Sequence, residues 1–198
     1  MDKILKYFID KYKGNILEIG AGHGDTTIEL TKLAKDRKVI VVDPFEDGWD
    51  EMPKSYGQPY PYKIFASKLQ GHLKNGTVIL HKCLSNDKHL KSKLKENLPI
   101  SFCFLDGLQY EENVLEDLLL LESLNVNIIA LDDFTRETET SQVPSAVTKF
   151  TRRKTYKLVG SINHPHGQGR IIGFLEKTWM SNKKSWMSYF FSLVFGFT

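Results

Sequence analysis

The chain has 198 residues, of which 41% are hydrophobic and 26% are charged, and this composition is that of an ordinary globular protein. The length is sufficient for one well-buried core and excludes two domains of ordinary size. The net charge of +3 and the scattered lysines disfavour a nucleic-acid partner, and no stretch reaches the ~20 apolar residues that are needed to span a bilayer.

Apolar runs that predict strands alternate along the chain with segments that predict helices. The predicted strands cover residues 16–19, 39–42, 78–80, 101–105 and 126–131. The predicted helices cover residues 26–35, 62–73, 87–96 and 112–124. Strands that are apolar on both faces and are separated by helices are typical of parallel sheets. The alternation therefore predicts a three-layer, Rossmann-like α/β fold with a mostly parallel sheet.

The pattern changes after residue 150. Two strand-like runs, TYKLVGSI and RIIGFLE, are joined by the loop NHPHGQG with no helix between them. This arrangement predicts a hairpin whose final strand is antiparallel to the rest of the sheet. We expect residues 1–176 to form a single domain and residues 177–198 to form an apolar tail. The tail is expected to pack on the domain or to form a homodimer contact, with membrane-surface binding as a weaker alternative.

Two features outside the helices bear on location and function. Cys83 and Cys103 both lie in apolar runs, which favours buried free thiols over a disulfide scaffold, and hence a reducing compartment and a cytoplasmic protein.

Residues 44–62 form a long aromatic segment with proline and glycine after the second strand. Both a surface excursion and a lid over a binding site are consistent with such a segment.

A glycine-rich motif lies at the first strand-to-helix junction. In ILEIGAGHGDTT, Glu18 precedes glycines at positions 20, 22 and 24, where the absence of a Cβ lets a backbone turn sharply beside a ligand. The nicotinamide fingerprint would place its last glycine at position 25, which is Asp25. At the end of the second strand, VIVVDP places Asp43 where a carboxylate can accept hydrogen bonds from ribose hydroxyls. Together these residues predict a nucleoside-type ligand in the crevice at the strand ends.

These motifs resemble those of class I methyltransferases that use S-adenosylmethionine, and the resemblance covers about residues 10–176. It implies that Gly20, Ala21 and Gly22 line the methionine part of the cofactor. It also implies that Glu18 supports the loop and that Asp43 binds the ribose. After the third strand, in ILHKCLSND, Leu84 and Ser85 would border the adenine. An alternative role for Ser85 is the N-cap of the helix that is predicted to begin near residue 87, and the two roles are compatible.

Acidic residues follow two further strands. Asp106 ends the run of residues 101–105, and Asp132 and Asp133 end the next strand in IIALDDFTRE. Because the ends of neighbouring parallel strands lie side by side, we expect these three carboxylates to converge. Three such groups repel one another unless they are protonated or bridged by a cation. Mg²⁺ prefers oxygen ligands and could also lower the pKa of an acceptor hydroxyl.

A narrower resemblance is to macrocin-type sugar O-methyltransferases and cephalosporin-hydroxylase-like proteins. It is carried by DPF, by LDG followed by NVLEDL, and by LDDF followed by VPSAVTKF. The resemblance implies that Asp106, Asp132 and Asp133 bind the metal. Such proteins often carry a histidine three residues after the first aspartate as the general base, where this chain has Gln109.

A glutamine orients a substrate but does not accept a proton at working pH. Three explanations of Gln109 stay open. A metal-bound alkoxide needs no strong base, or His164 or His166 of the hairpin loop supplies the base, or methyl transfer has been lost. The two histidines are alternatively ordinary solvated loop residues. The sequence thus predicts an S-adenosylmethionine-dependent O-methyltransferase of a sugar or small metabolite, assisted by Mg²⁺. The alternative is a catalytically impaired cofactor-binding or scaffold protein with the same fold.

Overall fold

The computed structural model describes residues 3–46, 61–134, 141–163 and 171–178, and helices alternate with strands over most of this length. The helices are α1 (Lys3–Lys11), α2 (Asp25–Ala34), α3 (Tyr62–Lys74), α4 (Leu90–Lys95), α5 (Glu111–Ser123) and α6 (Val143–Thr151). The strands are β1 (Asn15–Ile19), β2 (Val39–Val42), β3 (Val78–His81), β4 (Ile100–Leu105), β5 (Ile128–Leu131), β6 (Tyr156–Asn163) and β7 (Ile171–Lys177).

All of the strands belong to one sheet, in the order β3-β2-β1-β4-β5-β7-β6. The first five strands in this order pair in parallel, whereas β7 is antiparallel to both of its neighbours. The predicted Rossmann-like fold with a C-terminal antiparallel hairpin strand is therefore confirmed. The strand order reverses between β1 and β4, and ligands of open α/β sheets bind at such a switch point, outside the carboxyl ends of the strands.

Helices cover both faces of the sheet and produce two hydrophobic cores. One core contains Ile16 and Phe102 and is covered by α1, α2 and α3. The other contains Leu17 and Cys103 and is covered by α4, α5 and α6. Because successive residues of a strand point to opposite faces, strands in the middle of three layers are apolar on both sides. Cys83 and Cys103 are free thiols, as the sequence predicted, but only Cys103 is buried, whereas Cys83 is half-buried just after β3.

Two features of the C-terminal half were not predicted. Helix α6 was absent from the predicted helices, and β7 enters the sheet between β5 and β6 instead of adding to its edge. Gly173 of β7 leaves room for the Phe134 side chain, because a Cβ at that position would lie 2.5 Å from Cγ of Phe134. The Phe134 ring therefore packs directly on the backbone of β7, next to the carboxyl end of β5.

Several sequence predictions fall outside the described residues. They include the proposed lid within residues 44–62, most of which is not described, and the hairpin-loop histidines His164 and His166. Residues 179–198 are also outside, so the domain boundary, the homodimer contact and the membrane-surface contact of the tail stay predictions. Among the described helices, none combines the length and apolar character that a bilayer-spanning segment requires.

Candidate functional site

The glycine loop between β1 and α2 lies directly against the end of β4. The Asp106 N–H donates to the Ile19 carbonyl oxygen at 2.8 Å. Gly20 follows with a φ of +83°, and a Cβ built on it would lie 2.1 Å from the Asp106 carbonyl oxygen. Glycine alone tolerates both the left-handed backbone and this approach. The glycine loop and the segment after β4 were predicted to be neighbours, and they are.

Asp43, at the end of β2, is bonded to the glycine loop itself. Its Oδ2 accepts hydrogen bonds from the N–H groups of Ala21 at 2.7 Å and Gly22 at 3.0 Å. Its Oδ1 accepts a hydrogen bond from the Phe45 N–H at 2.7 Å. Burial raises the pKa of the Asp43 carboxyl, and the three N–H donors oppose that effect. Asp43 therefore fixes the shape of the loop, a role that the sequence did not reveal.

The predicted contact between Asp43 and a ribose stays compatible with this geometry. An ionised carboxylate offers about four lone-pair sites, and the three backbone donors leave about one for a further hydroxyl. Asp43 is also 7% exposed, so a ligand in the crevice would reach only the edge of the carboxylate. The ribose-binding role of Asp43 stays a prediction.

Glu18 joins β1 to α2 beneath the loop. Its side chain is fully buried, and Oε2 accepts a hydrogen bond from the Thr27 hydroxyl at 2.5 Å. The other oxygen, Oε1, is buried without a hydrogen-bond partner among the described residues. Burial raises the pKa of Glu18 to about 8. The hydrogen bond from Thr27 connects the two elements on either side of the glycine loop, which is compatible with the predicted loop-supporting role of Glu18.

The raised pKa of Glu18 predicts a pH-dependent stability. The folded protein holds this proton more tightly than the unfolded chain, so the free energy of unfolding should fall as the pH rises from 4.5 to about 8. Glu18→Gln removes this titrating group and should reduce the slope in urea unfolding measured across that range, while the buried Asp117 carboxyl, whose pKa is raised to about 7, keeps part of it. Glu112→Gln, on the exposed face of α5, is the control and should keep the wild-type slope. An identical slope in Glu18→Gln and the wild type would contradict this account.

The three acidic residues converge as the sequence predicted. Asp106, Asp132 and Asp133 each place one carboxylate oxygen within 4.8 Å of the others. Backbone pairing enforces this proximity, because the Asp132 N–H donates to the Leu105 carbonyl oxygen at 3.0 Å. Asp132 is buried, whereas the other two are half-buried. Asp133 also has a left-handed backbone with a φ of 49°, a strained conformation that often marks functional positions.

Gln109 lies within this acidic cluster. Its side-chain Nε2 donates to Oδ2 of Asp133 at 2.6 Å, and its backbone carbonyl accepts from the Gln142 N–H at 2.8 Å. The Gln142 side chain in turn accepts from the Glu111 N–H at the start of α5 at 3.0 Å. Gln109 is thereby held between the cluster and the residue that precedes α6. It orients one carboxylate and has no basic atom with which to accept a proton.

Ser85 lies after β3 and is half-buried. Burial raises the pKa of the Asp117 carboxyl on α5 to about 7, and the nearby Ser85 hydroxyl opposes that effect. The alternative role as a helix N-cap is wrong, because α4 begins at Leu90 and its N-cap is His89. Leu84 is half-buried beside Ser85, and the adenine contacts that were predicted for both residues stay predictions.

Asp117 was missed in the sequence, although a signal was available. It is a charged residue on the apolar face of α5, where Val114, Leu118 and Leu121 are buried around it. A carboxyl in such a position needs a polar partner, since burying an uncompensated charge is costly. The mismatch between Asp117 and its apolar neighbours could therefore have identified it as a residue with a specific contact.

The oxygen donors of the cluster suit a hard divalent cation. Three carboxylates offer negative charge and only oxygen atoms, which is the ligand type that Mg²⁺ prefers. Their mutual repulsion also provides a reason for a cation to bind. If a cation binds here, Asp106, Asp132 and Asp133 are the residues that would hold it.

Comparison with solved structures places this fold among methyltransferases. A candidate rRNA methylase from Clostridium thermocellum matches with a TM-score of 0.60 and 15% identity, over 90% of this chain and 93% of that one. A candidate methyltransferase from Streptococcus mutans, in complex with SAH, matches with a TM-score of 0.56 and 17% identity, over 89% of this chain and 97% of that one. A TDP-rhamnose 3'-O-methyltransferase of calicheamicin biosynthesis matches with a TM-score of 0.60 and 15% identity, over 90% of this chain and 77% of that one.

By sequence, no protein-family profile and no curated protein matches the chain. Two of these neighbours are described as acting on different substrates, an rRNA and a TDP-rhamnose. The chain therefore has a Rossmann-like methyltransferase fold, and the identities of 15–17% show the fold alone.

Proposed function

We propose that this protein is an S-adenosylmethionine-dependent O-methyltransferase that acts on a hydroxyl group of a sugar or small metabolite. The observation that carries the proposal is that the glycine loop and the acidic cluster lie side by side at one switch point. The glycine loop fixed by Asp43 lies against Asp106, and Asp106 belongs to the acidic cluster. A nucleoside cofactor at the loop and an acceptor at the cluster would then be neighbours, as direct transfer requires.

The cofactor half of the site is supported by the loop. The backbone at Gly20 to Gly22 is held in place by Asp43 and by the contact with Asp106, so that it is already ordered before a ligand binds. The glycine spacing disfavours a nicotinamide cofactor, because Asp25 stands where that fingerprint has its last glycine. The S. mutans neighbour, which is in complex with SAH, has the same overall fold.

The acceptor half of the site is supported by the cluster and by Gln109. Methyl transfer breaks the bond between the methyl carbon and the sulfonium sulfur and forms a carbon–oxygen bond, and the acceptor hydroxyl loses its proton. A divalent cation held by the three aspartates would supply Lewis-acid polarisation of that hydroxyl. The carboxylates orient the acceptor, and Gln109 holds Asp133 in a single position. Since Gln109 has no basic atom, the proton of the acceptor hydroxyl would pass to solvent or to another basic group.

A small acceptor is favoured over RNA by the modest net charge of +3 and the scattered lysines. The same small-molecule class is represented among the structural neighbours by the TDP-rhamnose methyltransferase. RNA methylation remains an outcome that the assay has to include, because another neighbour is described as a candidate rRNA methylase.

A second candidate function is supported by Gln109. A protein that binds the cofactor but has lost transfer activity would keep the loop and could replace the base by an amide. The hydrogen bond from Gln109 to Asp133 would then serve the structure of the cluster only.

Calorimetry with S-adenosylmethionine and S-adenosylhomocysteine is the first test. We expect the folded protein to bind both ligands, with dissociation constants in the micromolar range that is typical of enzyme substrates. Methyl transfer is then assayed against sugars, nucleotide sugars, small hydroxyl metabolites and RNA, with Mg²⁺ and with a chelator. NAD is the control ligand and should not bind.

The outcomes separate the candidates. Cofactor binding with Mg²⁺-dependent transfer to a hydroxyl compound supports the proposal. Cofactor binding without transfer to any acceptor, in the wild type and in Gln109→His, favours the impaired protein. Absence of cofactor binding at millimolar concentrations by a folded protein would reject both.

A further inference from the structure

A cavity of about 460 Å³ lies between α6 and β6, the strand at one edge of the sheet. Val147 of α6 and Leu158 of β6 line it, and so does Phe134, whose ring packs on Gly173 of β7. Leu158 is 46% exposed, the highest value among the large hydrophobic residues that the structure describes. The proposed transfer reaction uses none of these side chains, so the cavity calls for an occupant of its own.

The described part of the chain ends at this cavity. Thr178, the last residue that the structure describes, is one of its lining residues. Two hydrogen bonds fix Thr178 in place: its N–H donates to the Thr155 carbonyl oxygen at 2.8 Å, and its hydroxyl donates to the Lys154 carbonyl oxygen at 2.6 Å. Residues 179–198 therefore start beside the cavity, and at up to about 3.5 Å per residue even a few of them are long enough to reach it.

The composition of residues 179–198 suits an apolar site. The sequence WMSNKKSWMSYFFSLVFGFT contains two of the three tryptophans of the chain and four of its twelve phenylalanines. Aromatic surface on this scale is unfavourable in water and is normally buried against another apolar surface. A segment that is already attached next to a site also meets it at an effective concentration of about millimolar, whereas a separate partner has to pay for lost translational and rotational freedom.

We propose that the cavity between α6 and β6 is the docking site of the C-terminal segment of the same chain, residues 179–198, whose aromatic side chains cover Leu158. Phe134 directly follows Asp133, so the docked segment would pack against the residue next to the acidic cluster. The inference uses the cavity, the position of Thr178 and the sequence of the segment. It does not depend on the proposed methyl transfer.

Photo-cross-linking in the full-length protein tests the docking directly. The photoreactive amino acid p-benzoylphenylalanine replaces Leu158, and the cross-linked peptides are identified by mass spectrometry. We expect most cross-links from this position to join peptides within residues 179–198. Leu98 is the matched control position, because it is 45% exposed but precedes β4, three strands away from β6. The same replacement at Leu98 should lose the cross-links to the segment.

A mixture of unlabelled and isotope-labelled protein shows which chain supplies the segment. Docking within one chain produces cross-linked peptide pairs in which both peptides carry the same label. Docking between two chains also produces pairs with one labelled and one unlabelled peptide. We expect pairs of the first kind only, at every protein concentration.

Urea unfolding of point variants measures the same contact by its energy. If aromatic side chains cover Leu158, Leu158→Ser removes a buried apolar contact and should raise the unfolding equilibrium constant by about tenfold or more. Leu98→Ser should change it by less than about threefold, as ordinary surface substitutions do. In a chain whose phenylalanines within residues 190–197 are replaced by serine, the effect of Leu158→Ser should shrink to that of Leu98→Ser, because residues in contact are energetically coupled.

Each outcome supports or overturns the inference. Cross-links from position 158 to the segment of the same chain, with the energetic coupling, support it. A folded protein that forms no cross-links from position 158 to residues 179–198 would overturn it, and so would equal cross-linking from positions 98 and 158. Pairs with mixed labels would make a second copy of the chain the occupant and would also overturn it. Cofactor binding in calorimetry is measured separately, so the proposed function stands or fails independently.

Discussion

Replacing Gly20 with alanine is expected to lower the free energy of unfolding by about 2–5 kcal/mol and to abolish cofactor binding. The added Cβ would lie 2.1 Å from the Asp106 carbonyl oxygen, which is backbone and cannot rotate away. The φ of +83° adds strain for any residue with a side chain. Relief of the clash would require the glycine loop to separate from β4, which would also move Ala21 and Gly22 away from Asp43. Urea unfolding and calorimetry with S-adenosylhomocysteine measure the two effects.

Gly71→Ala is the matched control. Gly71 lies within α3, its φ is not in the left-handed region, and no heavy atom lies within 4 Å of the position that a Cβ would occupy. Alanine at this helical position should stabilise the protein by about 0.5–1 kcal/mol and leave cofactor binding unchanged. If Gly20→Ala were as stable as the wild type, the close contact between the loop and Asp106 would be wrong, and the cofactor site would lose its basis.

The convergence of the glycine loop with the acids could be predicted from the sequence, because it depends on topology alone. Parallel strands that are joined by helices bring their carboxyl ends to one edge, so the residues that follow β1, β2, β4 and β5 had to be neighbours. That reasoning placed Gly20, Asp43, Asp106 and Asp133 together without any knowledge of side-chain contacts. The two-stranded pattern after α6 similarly predicted the antiparallel direction of β7.

The details that were not predicted depend on loop geometry and on long-range pairing. The three backbone hydrogen bonds of Asp43 require the actual turn of the glycine loop, which has no periodic signature. The insertion of β7 between β5 and β6 depends on which strand edge is free, and a hairpin pattern does not encode that choice. The proximity of Ser85 to Asp117 likewise involves residues 32 positions apart on different elements.

The second large effect is expected for metal binding at the acidic cluster. Asp133→Asn is expected to weaken the binding of Mg²⁺ or Mn²⁺ by at least about tenfold, because it removes one of three anionic ligands. The asparagine oxygen can still accept the hydrogen bond from Gln109, so the side chain should keep its position. Calorimetric titration of the metal and the metal-dependent shift of the unfolding midpoint measure this effect, since a ligand that binds only the folded state raises its stability.

In the absence of metal, Asp133→Asn should raise the stability of the protein. Removing one of three carboxylates that lie within 4.8 Å of one another relieves their repulsion, so metal-free Asp133→Asn should be more stable than the metal-free wild type by about 0.5–1 kcal/mol. Asp36→Asn is the control, because this aspartate is exposed and lies outside the cluster. It should change neither metal affinity nor stability by a comparable amount.

Metal affinity and metal-free stability, measured together, show whether a bound cation balances the negative charge of the cluster. A variant that gains stability without metal and loses stabilisation with metal has given up an anionic ligand, as the proposed function requires. A wild type whose stability and heat of titration do not respond to millimolar Mg²⁺ or Mn²⁺ would contradict metal binding. The acceptor hydroxyl would then have to be activated without a metal. The carboxylate of one of the three aspartates would be the group in the cluster that accepts its proton.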